Sequence, residues 1–128
     1  MRRRRLRAAG AAVPALALAL VGCGTTGSAT SAHSAARQCG SGRTAANVRV
    51  LIEISRGQVA CSTALRVEQD YASALAAGKA PGNGGGGPIS VNGWVCIGFS
   101  TPQVLRTGQT SKCTRGGSEI LAVLPSPS

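Results

Sequence analysis

Val48-Arg49-Val50-Leu51-Ile52-Glu53-Ile54 is the stretch from which the fold can be worked out. Its odd-numbered and even-numbered positions differ in chemistry, and one face would consist of Val48, Val50, Ile52 and Ile54. The other face mixes Arg49, Leu51 and Glu53. A period of two is typical of a strand that is buried on one side only. The stretch therefore predicts a sheet with another layer packed against its β-branched face.

The residues after this strand change to a helical period. Ser62 or Thr63 can cap a helix through its side-chain oxygen, and Gly78 is well placed to end one. Between them, over residues 63–77, an apolar stripe is formed by Ala64, Val67, Tyr71, Ala74 and Leu75, and the opposite face by Arg66, Gln69, Asp70 and Ser73. We expect this helix to cover the apolar face of the sheet.

Two hairpins are predicted after the helix. Asn92-Gly93 is a strong signal for a two-residue turn, because both residues tolerate positive φ. A second turn is expected at Arg115-Gly116-Gly117. The predicted strands are residues 89–91, 94–99, 111–114 and 119–123, and the predicted loops are the Gly-rich segment 79–88 and the polar segment 100–110.

These elements predict a small α+β domain of order β-α-β-β-β, with one helix packed on a mainly antiparallel sheet and two disulfides. A parallel or mixed neighbour is expected for the first strand, because a helix connects it to the next one. The residues expected to pack against the helix stripe are Val48, Val50, Ile52, Ile54, Ile120 and Trp94.

The first residues follow the order of a bacterial export signal. Five arginines lie within the first seven residues, and residues 8–20 form an apolar stretch too short to be a permanent transmembrane helix. The next four residues, Leu20-Val21-Gly22-Cys23, resemble the lipobox of bacterial lipoproteins. The resemblance implies a signal peptide over residues 1–22 and a diacylglyceryl group on Cys23. The alternative is an ordinary secretion signal that happens to contain a cysteine.

The rest of the chain divides by composition. Residues 23–38 are predicted to be a lipidated flexible tether, which contains the single histidine, His33. Residues 39–124 are predicted to form the small α+β domain that two disulfides hold together, here called the stapled domain. Residues 125–128 are predicted to be a disordered tail. Two acyl chains on Cys23 would hold the protein stably on the outer face of the cell membrane.

The basic charge of the whole chain is reduced once the signal is removed. The formal charge is +10, but from residue 24 onward nine Lys and Arg stand against four Asp and Glu, a net +5. The chain has one Trp, one Tyr and one Phe for stacking on bases. We therefore expect no nucleic-acid partner, and an attraction to anionic headgroups or wall polymers instead.

Four cysteines remain when Cys23 carries lipid, which in a small exported domain implies two disulfides. The pairing we favour joins Cys61 to Cys96 and Cys39 to Cys113, because the first bond would staple the helix to the sheet. It would close a loop of roughly 35 residues, worth about 4 kcal/mol in the chain-entropy model. The rival pairing joins Cys39 to Cys61 and Cys96 to Cys113. No Cys-x-x-Cys pair occurs, so neither zinc nor thioredoxin-like chemistry is expected.

Three short motifs resemble small exported domains of actinobacteria, mostly uncharacterised lipoproteins or secreted proteins. They are Gly57-Gln58-Val59-Ala60-Cys61-Ser62-Thr63-Ala64, Gly93-Trp94-Val95-Cys96 and Cys113-Thr114-Arg115-Gly116-Gly117, and Tyr71 between the first two also matches. The similarity spans most of residues 48–123 and implies a fold but no activity.

Candidate catalytic groups are sparse. His33 lies in the predicted tether, and the acids Glu53, Glu68, Asp70 and Glu119 are expected to be solvated rather than gathered in one cleft. We expect no catalytic set, no cofactor and no metal. Tyr71 is expected in the core. Trp94 is expected either in the core or, with Arg115, as a candidate binding surface.

The sequence thus favours a membrane-anchored extracytoplasmic lipoprotein with a non-catalytic binding or interaction domain. Its partner would be an envelope protein or a wall polymer. The alternative is an enzyme, or an enzyme accessory or inhibitor, that acts on cell-wall or secreted substrates. The enzyme needs a cleft that gathers two of the four acids, and the inhibitor would use residues 100–110 as an insert.

Mass analysis of the unreduced, membrane-extracted protein tests the anchor and the staples together. We expect a diacylglyceryl group on Cys23 at a new N-terminus and no free thiol among Cys39, Cys61, Cys96 and Cys113. An unlipidated Cys23 would exclude the anchor, and free thiols would exclude the stapled domain.

Overall fold

The computed structural model describes residues 35–81 and 86–128. The predicted signal peptide, Cys23, His33 and most of the predicted tether lie outside the described residues, as do residues 82–85 of the Gly-rich loop. One compact unit, Ser31–Ser128, contains every described residue. It is therefore the unit expected to fold on its own.

Six strands form one sheet, and its strand order is β1-β2-β6-β5-β4-β3. The elements in chain order are β1 (Arg37–Arg43), β2 (Arg49–Arg56), α1 (Cys61–Ala76), β3 (Ile89–Val91), β4 (Trp94–Gly98), α2 (Thr101–Thr107), β5 (Gln109–Arg115) and β6 (Ser118–Val123). Every neighbouring pair is antiparallel. A small α+β domain with a helix on an antiparallel sheet is thus confirmed, whereas the predicted β-α-β-β-β order lacks β1 and α2. The parallel neighbour predicted for β2 is wrong, because α1 leads the chain to β3 at the far edge of the sheet.

The edge strand β1 begins at Arg37, within the segment predicted to be tether. Its sequence has no apolar alternation, because glycine occupies two positions on the α1 side. A Cβ added to Gly40 would lie 3.5 Å from Leu65 Cδ2, and one added to Gly42 would lie 3.4 Å from Ile52 Cδ1. The neighbouring side chains therefore fill the space that β1 leaves, and a hydrophobicity pattern does not reveal the strand.

The strand β2 alternates as predicted. Val50, Ile52 and Ile54 are buried, and they pack with Trp94 and Ile120 in one core on the α1 side. Val48 is 47% exposed, contrary to prediction, because β2 begins only at Arg49 and Val48 belongs to the β1–β2 turn. There its backbone N–H bonds to the Thr44 hydroxyl at 3.1 Å.

Helix α1 spans Cys61–Ala76, close to the predicted 63–77. The predicted Ser62 or Thr63 cap is wrong: the N-cap residue is Ala60, and no side chain caps this end. Gly78 ends the helix as predicted, at φ +70°. The Lys79 N–H then bonds to the Ala74 carbonyl at 3.0 Å, and the Gly78 N–H bonds to the Leu75 carbonyl at 3.0 Å. These two hydrogen bonds together form a Schellman C-cap.

Both predicted hairpins are present. Asn92 (φ 50°) and Gly93 (φ 79°) join β3 to β4 with the positive φ pair of a type I′ turn. The Asn92 side-chain amide also donates to Asp70 Oδ2 at 2.6 Å, which ties this turn to α1. The last turn is tighter than predicted, because Arg115 and Ser118 pair across β5 and β6.

A second helix, α2, occupies part of the segment predicted to be a polar loop. Gly108, at φ 73°, forms its C-cap, and its N–H bonds to the Val104 carbonyl at 2.7 Å. Seven residues are too few to show an apolar period in the sequence. The helix also buries little, since its Leu105 is 79% exposed. Neither described helix is long and apolar enough to cross a membrane.

The disulfides follow the rival pairing, Cys39–Cys61 and Cys96–Cys113, so the favoured pairing is wrong. Cys96 and Cys113 are register partners on adjacent strands and face the core together. Cys39 lies on the edge strand beside the first residue of α1. The helix is therefore stapled to β1 and not to the sheet centre.

The two disulfides differ in exposure, which predicts the order of their reduction. Cys96 and Cys113 have no exposed surface, whereas Cys39 and Cys61 are only partly buried. We expect brief dithiothreitol treatment of the native unit, followed by alkylation and mass spectrometry, to label Cys39 and Cys61 first. In guanidinium the four cysteines should react alike, and equal labelling in the native state would contradict this order.

Candidate functional site

Helix α1 crosses the strands of the sheet instead of running along them. It contacts β1, β2 and β3, which include both edges of the sheet. Because all neighbours are antiparallel, the start of β2, the end of β4, the start of β5 and the end of β6 meet at one end of the strands. The helix leaves part of the apolar face uncovered at that end.

A cleft of about 1010 Å³ occupies this position. It is lined by α1, the sheet, the β1–β2 turn and α2. Its larger apolar side chains are Val48, Val50, Ile52, Leu65, Leu75, Phe99, Val104 and Leu124, and its polar lining includes Glu68, Tyr71, Thr110 and Ser111. Arg43 and Arg49, both exposed, also contribute to the lining.

Glu68 is the buried charge-bearing group of this cleft. It is 6% exposed, and its Oε2 accepts a 2.9 Å hydrogen bond from the Ser111 hydroxyl. Its other oxygen, Oε1, has no hydrogen-bond partner among the described residues. Sequence reasoning had placed Glu68 in solvent, which is wrong. The signal was available, because Glu68 is four residues after Ala64 and three before Tyr71, both on the predicted apolar stripe.

Tyr71 lies on the same face of α1 and is in the core, as predicted. Its hydroxyl, like Glu68 Oε1, is buried and has no hydrogen-bond partner among the described residues. Buried polar atoms in folded proteins are almost always hydrogen-bonded. Trp94 Nε1 is a third such atom among the described residues and lies outside the cleft, whereas Glu68 and Tyr71 both belong to its lining. A ligand group that enters beside these two residues could complete their bonding.

Burial also changes the acidity of both groups. Desolvation raises the pKa of Glu68 to about 7, although the Ser111 hydrogen bond opposes the rise. Desolvation, with the charge of Glu68 second, raises the pKa of Tyr71 to about 12. Near neutral pH the cleft therefore holds a neutral tyrosine and a carboxyl group that exchanges its proton readily.

The other three acids do not line the cleft. Asp70 bonds to Asn92. Glu53 alternates with Ile52 and Ile54 in β2 and so faces the other side of the sheet. The four carboxyl groups are therefore not gathered as a pair-based hydrolytic site would need.

Glu119 is held by polar neighbours outside the cleft. It accepts hydrogen bonds from Ser55 (2.7 Å) and Arg56 (2.5 Å). Burial alone would raise the pKa of Glu119, but these bonds, with the charges of Arg56 and Lys112, lower it overall. The Arg56 side chain is largely exposed, so the ion pair contributes little to stability.

Trp94 and Arg115, the candidate binding surface, lie at the opposite end of the strands from the cleft. The Trp94 side chain is wholly buried, and the Arg115 guanidinium carbon lies 4.6 Å from the ring centroid. This cation–π contact covers the indole from outside. The structure thus places Trp94 in the core, with Arg115 exposed over it.

Within residues 35–81 and 86–128, no three His, Cys, Asp or Glu side chains gather in a way that could hold a metal ion. No protein-family model, curated protein or solved structure matches the chain. The site is therefore interpreted from its own geometry.

The raised pKa of Glu68 predicts a specific pH dependence of stability. The folded state keeps the proton up to about pH 7, whereas the unfolded chain loses it near 4.5. Folding therefore loses stability as the pH rises from 4.5 to 7, by up to about 3 kcal/mol. We expect the free energy of unfolding of wild type, relative to Glu68→Gln, to fall over this range in urea titrations.

The Gln side chain keeps the size of Glu68 and a hydrogen-bond acceptor for Ser111, so Glu68→Gln is a matched control. Taking the difference between the two proteins removes the contributions of the other acids. A difference that stays constant from pH 4.5 to 7 would show that Glu68 is not desolvated.

Proposed function

We propose that this protein is a membrane-anchored extracytoplasmic lipoprotein whose domain binds a small, mostly apolar ligand in the cleft beside α1, without catalysing a reaction. The observation that carries the proposal is a pair of buried atoms without a partner among the described residues, Glu68 Oε1 and the Tyr71 hydroxyl, on two residues that line a cleft of mixed apolar and polar character. Ligand sites are commonly concave and apolar, with a few polar groups that orient the ligand.

The size of the cleft agrees with such a role. Small-molecule sites are roughly 300 to 1,000 Å³ in volume, and this cleft is at the upper end of that range. Its walls come from seven elements and the β1–β2 turn. A small ligand could bury most of its surface there without unfolding the domain.

The location is supported by two independent features. The lipobox-like segment ending at Cys23 favours a lipid anchor, and two disulfides are typical of proteins that fold outside the reducing cytoplasm. A net charge of +5 from residue 24 onward would draw the domain toward anionic headgroups or wall polymers. We therefore propose that it binds its ligand at the outer face of the cell membrane. An envelope protein or wall polymer remains the proposed macromolecular partner.

The second candidate is an enzyme, or an enzyme accessory, that acts on cell-wall or secreted substrates. Glu68 favours it, because a carboxyl group with a pKa of about 7 is a suitable proton donor near neutral pH. Binding needs no second reacting group, however, and Glu68 is the only one of the four acids that lines the cleft. Turnover that is abolished by Glu68→Gln while ligand binding persists would favour the enzyme.

A variant that fills the cleft tests the binding proposal. Ala72 lines the cleft, whereas Ala76, one turn later on α1, is exposed and does not. We expect the purified Ser31–Ser128 unit to bind the neutral apolar dye Nile red. The Ala72→Trp variant should weaken this binding at least tenfold, and Ala76→Trp should leave it within about twofold. Fluorescence titration gives the three dissociation constants.

Circular dichroism of all three proteins establishes whether each variant folds. Absence of dye binding to the wild-type unit, or equal binding by folded Ala72→Trp, would overturn the proposal that the cleft is a ligand site.

A further inference from the structure

We propose that the cleft selects amphiphiles with an ammonium head, in which the cation pairs with Glu68 and the alkyl body fills the apolar walls. This inference rests on the proposed function, because it names the ligand class of the same site. It derives from the charge of Glu68, whereas the proposed function requires only that a ligand of either charge, or of none, binds in the cleft.

The buried Glu68 carboxyl group lacks a counter-charge among the described residues. A buried carboxylate is normally paired with a cation, because burial without one is costly. Among the described residues the Ser111 hydroxyl bonds to the Glu68 carboxyl group, and no arginine or lysine forms an ion pair with it. The ionised Glu68 carboxylate is therefore available to form an ion pair with a cation that binds in the cleft.

The described residues do not fill the hydrogen-bonding capacity of Glu68, Tyr71 and Ser111. Among the described residues Glu68 Oε1 and the Tyr71 hydroxyl have no hydrogen-bond partner, and Ser111 Oγ keeps lone pairs while its proton is on Glu68. A primary ammonium has three N–H donors and no acceptor, so it can bond to a carboxylate oxygen and still donate to hydroxyl oxygens nearby. An alcohol can donate only one hydrogen bond. A carboxylate can donate none, and its charge would repel ionised Glu68.

The charged and titratable groups around Glu68 do not prevent an ammonium from pairing with it. Tyr71 is neutral near pH 7. Lys112 is adjacent to Ser111 in β5 and so points to the opposite face of the sheet. Arg43 and Arg49 line the cleft from β1 and β2, but both are exposed, and the Arg43 guanidinium bonds to the Asn47 carbonyl at 3.0 Å. Water screens exposed charges strongly, so these arginines do not offset a direct contact between an ammonium and the carboxylate.

The experiment compares three probes that share one chain length, n-octylamine, 1-octanol and octanoate. Each displaces Nile red from the Ser31–Ser128 unit at pH 7. We expect octylamine to bind at least tenfold more tightly than octanol, and octanoate to bind more weakly than octanol. In Glu68→Gln the affinities for octylamine and octanol should come within about twofold of each other. Glu53→Gln, on the other face of the sheet, should behave like wild type.

Two further measurements do not depend on the Gln variant folding. At pH 5 Glu68 is protonated, so the preference of wild type for octylamine over octanol should disappear. Calorimetry of octylamine binding at pH 7, in two buffers that differ in ionisation enthalpy, should reveal release of about half a proton per ligand, because the pKa of Glu68 is about 7.

The outcomes separate this inference from the proposed function. If octylamine and octanol bind equally at pH 7, the ammonium preference is wrong while ligand binding in the cleft stands. If the preference survives Glu68→Gln and pH 5 unchanged, Glu68 is not its cause, and the inference is likewise overturned. If none of the probes nor Nile red binds, both the inference and the proposed function are overturned.

Discussion

One helix has to cover a sheet of six strands, and this constraint organises the rest of the domain. Strands lie about 4.8 Å apart, so the sheet is about 24 Å wide. A helix of 16 residues is also about 24 Å long but only about 10 Å thick. Lying across the strands, α1 reaches from β1 to β3, but it covers only a band of the apolar face. Both ends of the strands must be closed by something else.

The two ends are closed differently. At one end, Trp94 fills the space and the Arg115 guanidinium lies over it, next to the buried Cys96–Cys113 disulfide. At the other end the β1–β2 turn and α2 border the uncovered part of the sheet without filling it, and the space between them is the cleft. The Cys39–Cys61 bond and the Asp70–Asn92 hydrogen bond hold α1 at opposite edges of the sheet. The cleft thus has a wall that is fixed at two points.

The sequence predicted the elements whose stability is local or periodic. The alternation of Val50, Ile52 and Ile54, the stop at Gly78 and the Asn92-Gly93 turn are each encoded within a few residues, and all are present. The strand β1 was missed because its glycines leave room for Leu65 and Ile52, which a linear pattern cannot show. The disulfide pairing was missed because it depends on register: Cys96 and Cys113 meet only once β4 and β5 are aligned.

Glu68 was missed for a different reason, and it is the residue on which the site depends. Its spacing from Ala64 and Tyr71 puts it on the buried stripe, but its charge suggested solvent. A leucine of similar size would fit the pattern and would avoid the desolvation of a carboxylate. In a domain small enough to need two disulfides, a conflict that costs about 3 kcal/mol at neutral pH is a large fraction of the total stability. Such local inconsistencies are expected where function, and not folding, determines the residue. The cleft lies beside the same carboxylate and beside a phenol that also lacks a hydrogen-bond partner among the described residues. The proposed ammonium ligand would supply the missing charge there, and with it the missing hydrogen bond to the carboxylate.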